Sequence, residues 1–357
     1  MSGWHWALLQ TLGPPDTDRM HHPQRGRHPL LCTAVRFFKK KQELSGGADE
    51  LAIGGFLDDE SELLNEALLD REWGAARRIL AAADKEHFMY YVQVAAATHG
   101  VEEWIDGPIR AQRDDPLPLL IGGARAISWA GEARGDGRAS TVPKDAWPVW
   151  FQRLELAENL LDQALDRHPA LAEAWHYKIS LSRNRQLPAE ERWRRFNRLI
   201  EIDPSHLFGH LTMLDSLLPK WGGSWDEAFR FARERTAACP ATNVPLLIMK
   251  VHRNFRWESE NGETRYYQRP DVASETYDAA EQSFWHDDYE TTTLTPILWN
   301  HFAFALTYGR YFRQACTLYD AIGSDFVRKE PWQTVERYRN MRDWAREEAA
   351  DPRYHDE

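Results

Sequence analysis

The chain has 357 residues, 43% of them apolar and 12% aromatic, with a formal net charge of -11. That charge argues against sequence-independent binding to DNA or RNA, which relies on basic surface to displace counterions. No stretch is long and apolar enough to cross a membrane.

Residues 1–29 have no helical period. They hold His5, His21, His22 and His28 among Pro14, Pro15, Pro23 and Pro29, so a disordered tail is expected. The run from Trp4 to Leu12 has no basic start and no small-residue cleavage pattern after it, unlike a secretory signal. Residues 30–57 read as a linker with a first short helix, joined through Ser45, Gly46 and Gly47. Cys32, Cys239 and Cys316 lack metal-type spacing and read as reduced thiols of a cytoplasmic protein.

From residue 58 to about 330 an aromatic or apolar residue, a small residue and another apolar or small one recur at spacings of three and four. Examples are Trp73, Ala76, Leu80; Trp104, Gly107, Ala111; Leu154, Ala157, Leu161; Trp225, Ala228, Ala232; and Phe312, Ala315, Tyr319. Such spacing places the three on one helix face, where the small residue lets a neighbouring helix come close. Helix pairs are predicted over 59–82, 85–113 and 116–130, the last joined to a partner that starts near Asp145; Gly100 ends a helix. Gly122 and Gly123 lie inside a helical pattern and point to close helix packing, since dinucleotide binding would need a third glycine and a preceding strand. Pro169, Pro204 and Pro240 follow at intervals of 35 and 36 residues, close to the roughly 34 of a tetratricopeptide unit. A charged helix over 332–349 is expected to cap the last repeat, within a terminal region 331–357.

Two segments depart from plain repeats. Pro219, Lys220, Trp221, Gly222, Gly223, Ser224 form a long turn, and Ser224 opens a capping box with Glu227. Between Trp257 and Tyr266, Asn261-Gly262 is the preferred two-residue hairpin turn, and Ser259/Thr264, Glu258/Arg265 and Trp257/Tyr266 would be favourable cross-strand pairs. A small β-hairpin is predicted there, lying against the helices as a lid or an edge cover.

The pattern resembles the tetratricopeptide-repeat class, best over about 147–240 and 295–322. The Pro-Lys-Trp-Gly-Gly-Ser turn also resembles one in a family of uncharacterised bacterial helical-repeat proteins, a domain of unknown function. The resemblance implies an all-α, right-handed α-solenoid of TPR-like helix pairs, with the hairpin as its one insertion, and a peptide or protein segment held in a concave groove.

Candidate groove residues follow from the phase. If Trp175 and Ile179 face the core, His176, Ser180, Arg183 and Asn184 share the other stripe; Asn300, Phe304, Thr307 and Tyr308 repeat those offsets, and Lys250, Arg253 and Asn254 share a third face, which by the resemblance to peptide-binding repeat proteins partly matches a carboxylate clamp. His210 and Trp221 complete the candidate surface. An ordinary solvated helix face is the plain alternative for each group.

His206 and His210, four apart, could reach one cation, but no glutamate follows His206 and the His-Glu-x-x-His pattern is absent. No catalytic, cofactor or metal site is assigned. The run His286, Asp287, Asp288, Tyr289, Glu290 is a second acidic cluster with ligand-type atoms, which a solvated loop explains equally well. Nucleophile elbows and phosphate loops are missing. The expected function is therefore a non-catalytic binding scaffold for a protein or peptide segment, with no nucleic acid, membrane or cofactor partner. The alternative is an enzyme or small-molecule binder with a site near the Pro219–Ser224 turn and the 257–266 hairpin, using His206, His210 or His252.

Overall fold

A computed structural model describes residues 59–135, 137, 139–259 and 263–351. The expected tail and linker lie outside them. The described residues form two compact units, 59–231 and 232–351, and both are built of helices alone.

The first unit comprises α1 (Asp59–Leu69), α2 (Trp73–Ala82), α3 (Lys85–Ala97), α4 (Asp106–Ala111), α5 (Leu117–Arg134), α6 (Ala146–Arg167), α7 (Ala172–Asn184), α8 (Ala189–Ile202), α9 (Leu207–Ser216) and the start of α10 (Trp225–Ala238). The helices α1, α3, α5, α7 and α9 each pack on the next, and even-numbered helices lie alongside them. That connectivity is the stack of a helical-repeat protein, in which each pair covers its neighbour's open face.

The small residues work as the spacing predicts. Ala76, Ala157, Ala228 and, in the second unit, Ala315 are fully buried. On α5 a Cβ added to Gly123 would stand 2.7 Å from the Leu161 side chain, so α5 and α6 meet at a distance that only glycine allows. The trio Trp104, Gly107, Ala111 departs from the pattern. Helix α4 is a single short element, Gly107 and Ala111 are exposed, and Ile105 supplies the buried contact instead.

Local caps follow the sequence. Asp84 accepts from the amides of Glu86 and His87 at the start of α3, and Ser224 Oγ accepts from the Glu227 amide at 3.2 Å. The turn before Ser224 is a short 3-10 segment, Pro219–Trp221. A Cβ on Gly223 would lie 2.0 Å from the Leu217 carbonyl oxygen, so no other residue fits without moving the backbone.

The second unit holds the rest of α10, then α11 (Leu246–Ser259), α12 (Glu263–Tyr267), α13 (Pro270–Glu281), α14 (Thr295–Tyr308), α15 (Phe312–Ile322) and α16 (Val335–Ala349). Helix α14 is its axis, touching α11, α12, α13, α15 and α16. Helix α16 lies where the charged terminal helix is predicted, and Trp332 just before it is fully buried with its ring edge-on to Phe304 and Tyr338.

The predicted β-hairpin is absent: the fold class is corrected to helices without a strand among the described residues. Trp257 belongs to the end of α11, and Tyr266 belongs to the helical turn α12, on either side of residues 260–262, which are outside the described set. The physical reason is visible at Tyr266 and Tyr267, both 2% exposed. Consecutive strand residues point to opposite faces. A helical turn instead lets Tyr266 bond His252 Nδ1 at 2.7 Å while Tyr267 meets Phe304 edge-on and stacks on Tyr308.

Candidate functional site

The polar stripe expected along α7 is not an open face. His176 is 0% and Arg183 4% exposed, Ser180 is buried and Asn184 half-buried, because α5, α6, α8 and α9 surround α7. Trp175, expected in the core, is only partly covered and donates its Nε1–H to the Pro169 carbonyl at 3.0 Å. The stripe meets α9 in a series of polar pairs. Glu173 receives His206 Nε2 at 2.8 Å and His176 Nδ1 at 3.0 Å, His176 Nε2 lies 3.2 Å from Thr212 Oγ1, and Arg183 pairs with Asp215. Burial alone would raise the Glu173 carboxyl, but the two histidine donors hold it below the usual range.

His206 and His210 do not converge. The His210 Nδ1–H donates to the His206 carbonyl at 2.9 Å, and its ring packs edge-on against Phe196. The group that does converge is Glu173, His176 and His206, with ligand-capable atoms within 4.8 Å of one another. His206 Nδ1, however, accepts the Gly209 amide at 3.0 Å as the cap of α9. The proton of this ring is therefore on Nε2, facing Glu173. A cation on Nε2 would leave an imidazole with no proton at all, whereas metal-bound histidines normally donate from the second nitrogen. The residues fit a closed hydrogen-bond network better than a metal centre.

Around the Pro219–Ser224 turn, the half-buried Trp221 places its ring 4.9 Å from the Arg183 guanidinium, and Lys220 Nζ lies 3.5 Å from Asp215. The turn thus covers the end of the α7/α9 seam. Residues 286–290 form an exposed loop from which Tyr289 turns back to bond Asn243 at 2.6 Å.

The third predicted group gathers more chemistry. Lys250, Arg253 and Asn254 lie on one face of α11, all buried. Arg253 pairs with the Glu330 carboxylate, and Lys250 Nζ bonds His301 Nε2 of α14 at 2.9 Å. Among the described residues no carboxylate lies within 4.0 Å of Lys250 Nζ. The Asn254 Nδ2 group, 5% exposed, has no hydrogen-bond acceptor there. Burial, reinforced by the charge of Arg253, lowers the Lys250 ammonium to about 7 against the opposing pull of Glu330. The same burial, with Lys250 and Arg253 beside it, keeps His301 well below the usual imidazole range.

Asn300 explains how Glu330 arrives. Its Nδ2 donates to the Pro296 carbonyl at 2.7 Å and to the Phe326 carbonyl at 2.8 Å, while its Oδ1 accepts from the Arg328 amide at 3.1 Å and from Trp332 Nε1 at 2.6 Å. A residue read as a partner contact therefore ties residues 326–332 across α14. Tyr308 is half-buried and stacked on Tyr267. His301 and Glu330 escaped the sequence reading; the one available signal was that His301 directly follows Asn300 on the helix facing α11.

No protein-family model matches the chain, and no curated protein matches it. No helix of the described residues is long and apolar enough to cross a membrane.

Proposed function

We propose that this chain is a cytoplasmic, tetratricopeptide-like binding protein, non-catalytic in this role, whose second unit holds a carboxylate-bearing segment of a partner protein at Lys250, Arg253 and Asn254. The observation that carries the reading is an imbalance of donors: Arg253 already grips one carboxylate, while Lys250 and Asn254 keep buried N–H groups for which the described residues offer too few acceptors. Buried polar groups are ordinarily satisfied, so an added carboxylate would be stabilised here. The alternative of a small-molecule site is supported at the same place by the Lys250–His301 contact rather than at the 257–266 segment.

The test is binding of fluorescent peptide libraries with a free or an amidated carboxyl terminus. Free-carboxylate peptides should bind and amidated ones should bind at least about tenfold more weakly, in line with the loss of one charged hydrogen bond. Equal binding of both, or full retention of affinity in the Arg253→Gln variant, would refute the reading.

A further inference from the structure

The amine at this site has an unusual set of partners. An ammonium carries three N–H donors and accepts nothing, yet Lys250 is 2% exposed and its one described partner is the imidazole nitrogen of His301. Elsewhere in the chain buried lysine is treated differently: Lys178 sits between the carboxylates of Glu158 and Asp162. The groups facing Lys250 are His301 from α14, Arg253 from its own helix and Glu330 from the strap 326–332. With Arg253 as a cationic neighbour and the single facing carboxylate already taken by Arg253, a neutral amine bonded to a neutral imidazole is the form that leaves fewest donors unpaired. A neutral lysine amine next to a proton acceptor is a nucleophile for carbonyl carbon.

We propose that Lys250 and His301 form a covalent capture site for small 2-oxo acids, with Arg253 taking the acid's carboxylate in place of Glu330. This rests on the reading that Arg253 serves a ligand carboxylate. In the step, the Lys250 Nζ lone pair attacks the carbonyl carbon and the carbonyl π pair moves to oxygen. His301 Nε2 takes a proton from the nitrogen and passes it to that oxygen, giving a carbinolamine. A second proton from nitrogen, relayed the same way, leaves with the hydroxyl as water while the C=N bond forms. Amine and carbonyl become imine and water, with no oxidant or reductant consumed. Lys250 and Arg253, three apart on α11, have neighbouring Cβ atoms, which suits a molecule whose carboxylate and carbonyl carbons are bonded to each other. Entry requires the Glu330 side chain to leave Arg253. The Glu330 side chain is 14% exposed and its neighbours Lys329 and Gln333 are exposed, so its carboxylate can turn outward to solvent while Asn300 and the buried Trp332 hold the backbone on either side.

The experiment incubates the full chain with pyruvate and sodium cyanoborohydride at neutral pH and maps adducts by peptide mass spectrometry. A carboxyethyl group is expected on Lys250 well ahead of every other lysine. Glu330→Gln should speed its appearance, Lys250→Arg should abolish it, and His301→Gln should slow it about a hundredfold without altering the melting curve. Acetone, a ketone without the carboxylate, should label Lys250 more slowly than pyruvate does, each rate taken relative to the labelling of free lysine by the same ketone. Even labelling of all lysines, or none at Lys250, overturns the proposal; equal relative rates for pyruvate and acetone overturn the 2-oxo acid class. If labelling fails while free-carboxylate peptides still bind, the covalent step falls and the proposed function stands. The opposite pattern removes the peptide and keeps the amine chemistry.

Discussion

The two units bury charge in opposite ways. In the first, each buried lysine or arginine meets a carboxylate: Arg183 meets Asp215, and Arg195 and Lys178 meet Glu158, on other helices, while Arg125 meets Glu102 of the turn before α4 and Glu132 of its own helix. In the second, Lys250, Arg253 and Arg256 are buried on one helix, and Glu330 is the carboxylate paired with Arg253. Matched pairs fix the register between helices; Lys250, whose described partner is the His301 imidazole, and Asn254, whose Nδ2 has no acceptor among the described residues, keep a demand for acceptors. The comparison separates polar groups that hold a fold together from polar groups that wait for something else.

Substitutions should expose this contrast. The largest effect is expected from Asp215→Ala, which strands the buried Arg183 guanidinium and should cost about 3–5 kcal/mol in urea unfolding of the first unit. Replacing both partners, as in Arg183→Met with Asp215→Leu, should restore most of that loss. If the single variant is as stable as the parent, the seam is not the register device described here.

Lys250→Met should act in the opposite direction and raise stability at pH 7 by about 2 kcal/mol, because it removes a buried amine rather than half of a pair. The pH dependence carries the same sign. The folded-state value near 7 lies below the unfolded 10.5, so between these limits the unfolded chain binds more protons. Stability should therefore rise with pH across that window and level off above it. In the Lys250→Met variant this slope should vanish, and thermal melts from pH 6 to 10 would show whether it does.

Gly123→Ala should cost about 1–3 kcal/mol by overpacking α5 against Leu161, measurable as a lower denaturant midpoint. The smallest change belongs to Arg233→Ala. Its guanidinium donates to Glu275 at 2.7 and 2.9 Å but is 58% exposed, so the loss should stay below about 1 kcal/mol. Burial raises the Glu275 carboxyl, yet Arg233 and His252 bring it down to about 2. Its contribution is present above the unfolded value of 4.5 and fades as pH falls toward 2, which acid titration with and without Arg233 would reveal.

The sequence announced the helices because their period depends only on chain-local spacing: Ala157, Ala228 and Ala315 were placed correctly by phase alone. It also grouped Lys250, Arg253 and Asn254, since residues three and four apart share a face in any helix. What covers a face is decided by other helices, so the stripe of His176 and Arg183 read as open when α9 lies across it. Asn261-Gly262 is a strong turn signal, but it says nothing about the two adjacent tyrosines that both needed cover. Glu330 lies eighty residues from Lys250 along the chain, and no periodicity links them.

Asn300 uses every hydrogen-bonding capacity of its amide, two donated and two accepted, each aimed at a different stretch of backbone or ring. Aspartate would turn two carbonyls toward a negative charge, leucine would desert all four groups, and glutamine would overshoot by one carbon. The position admits a single amino acid, and a one-atom exchange of nitrogen for oxygen there would cut the loop loose from the helix that carries it.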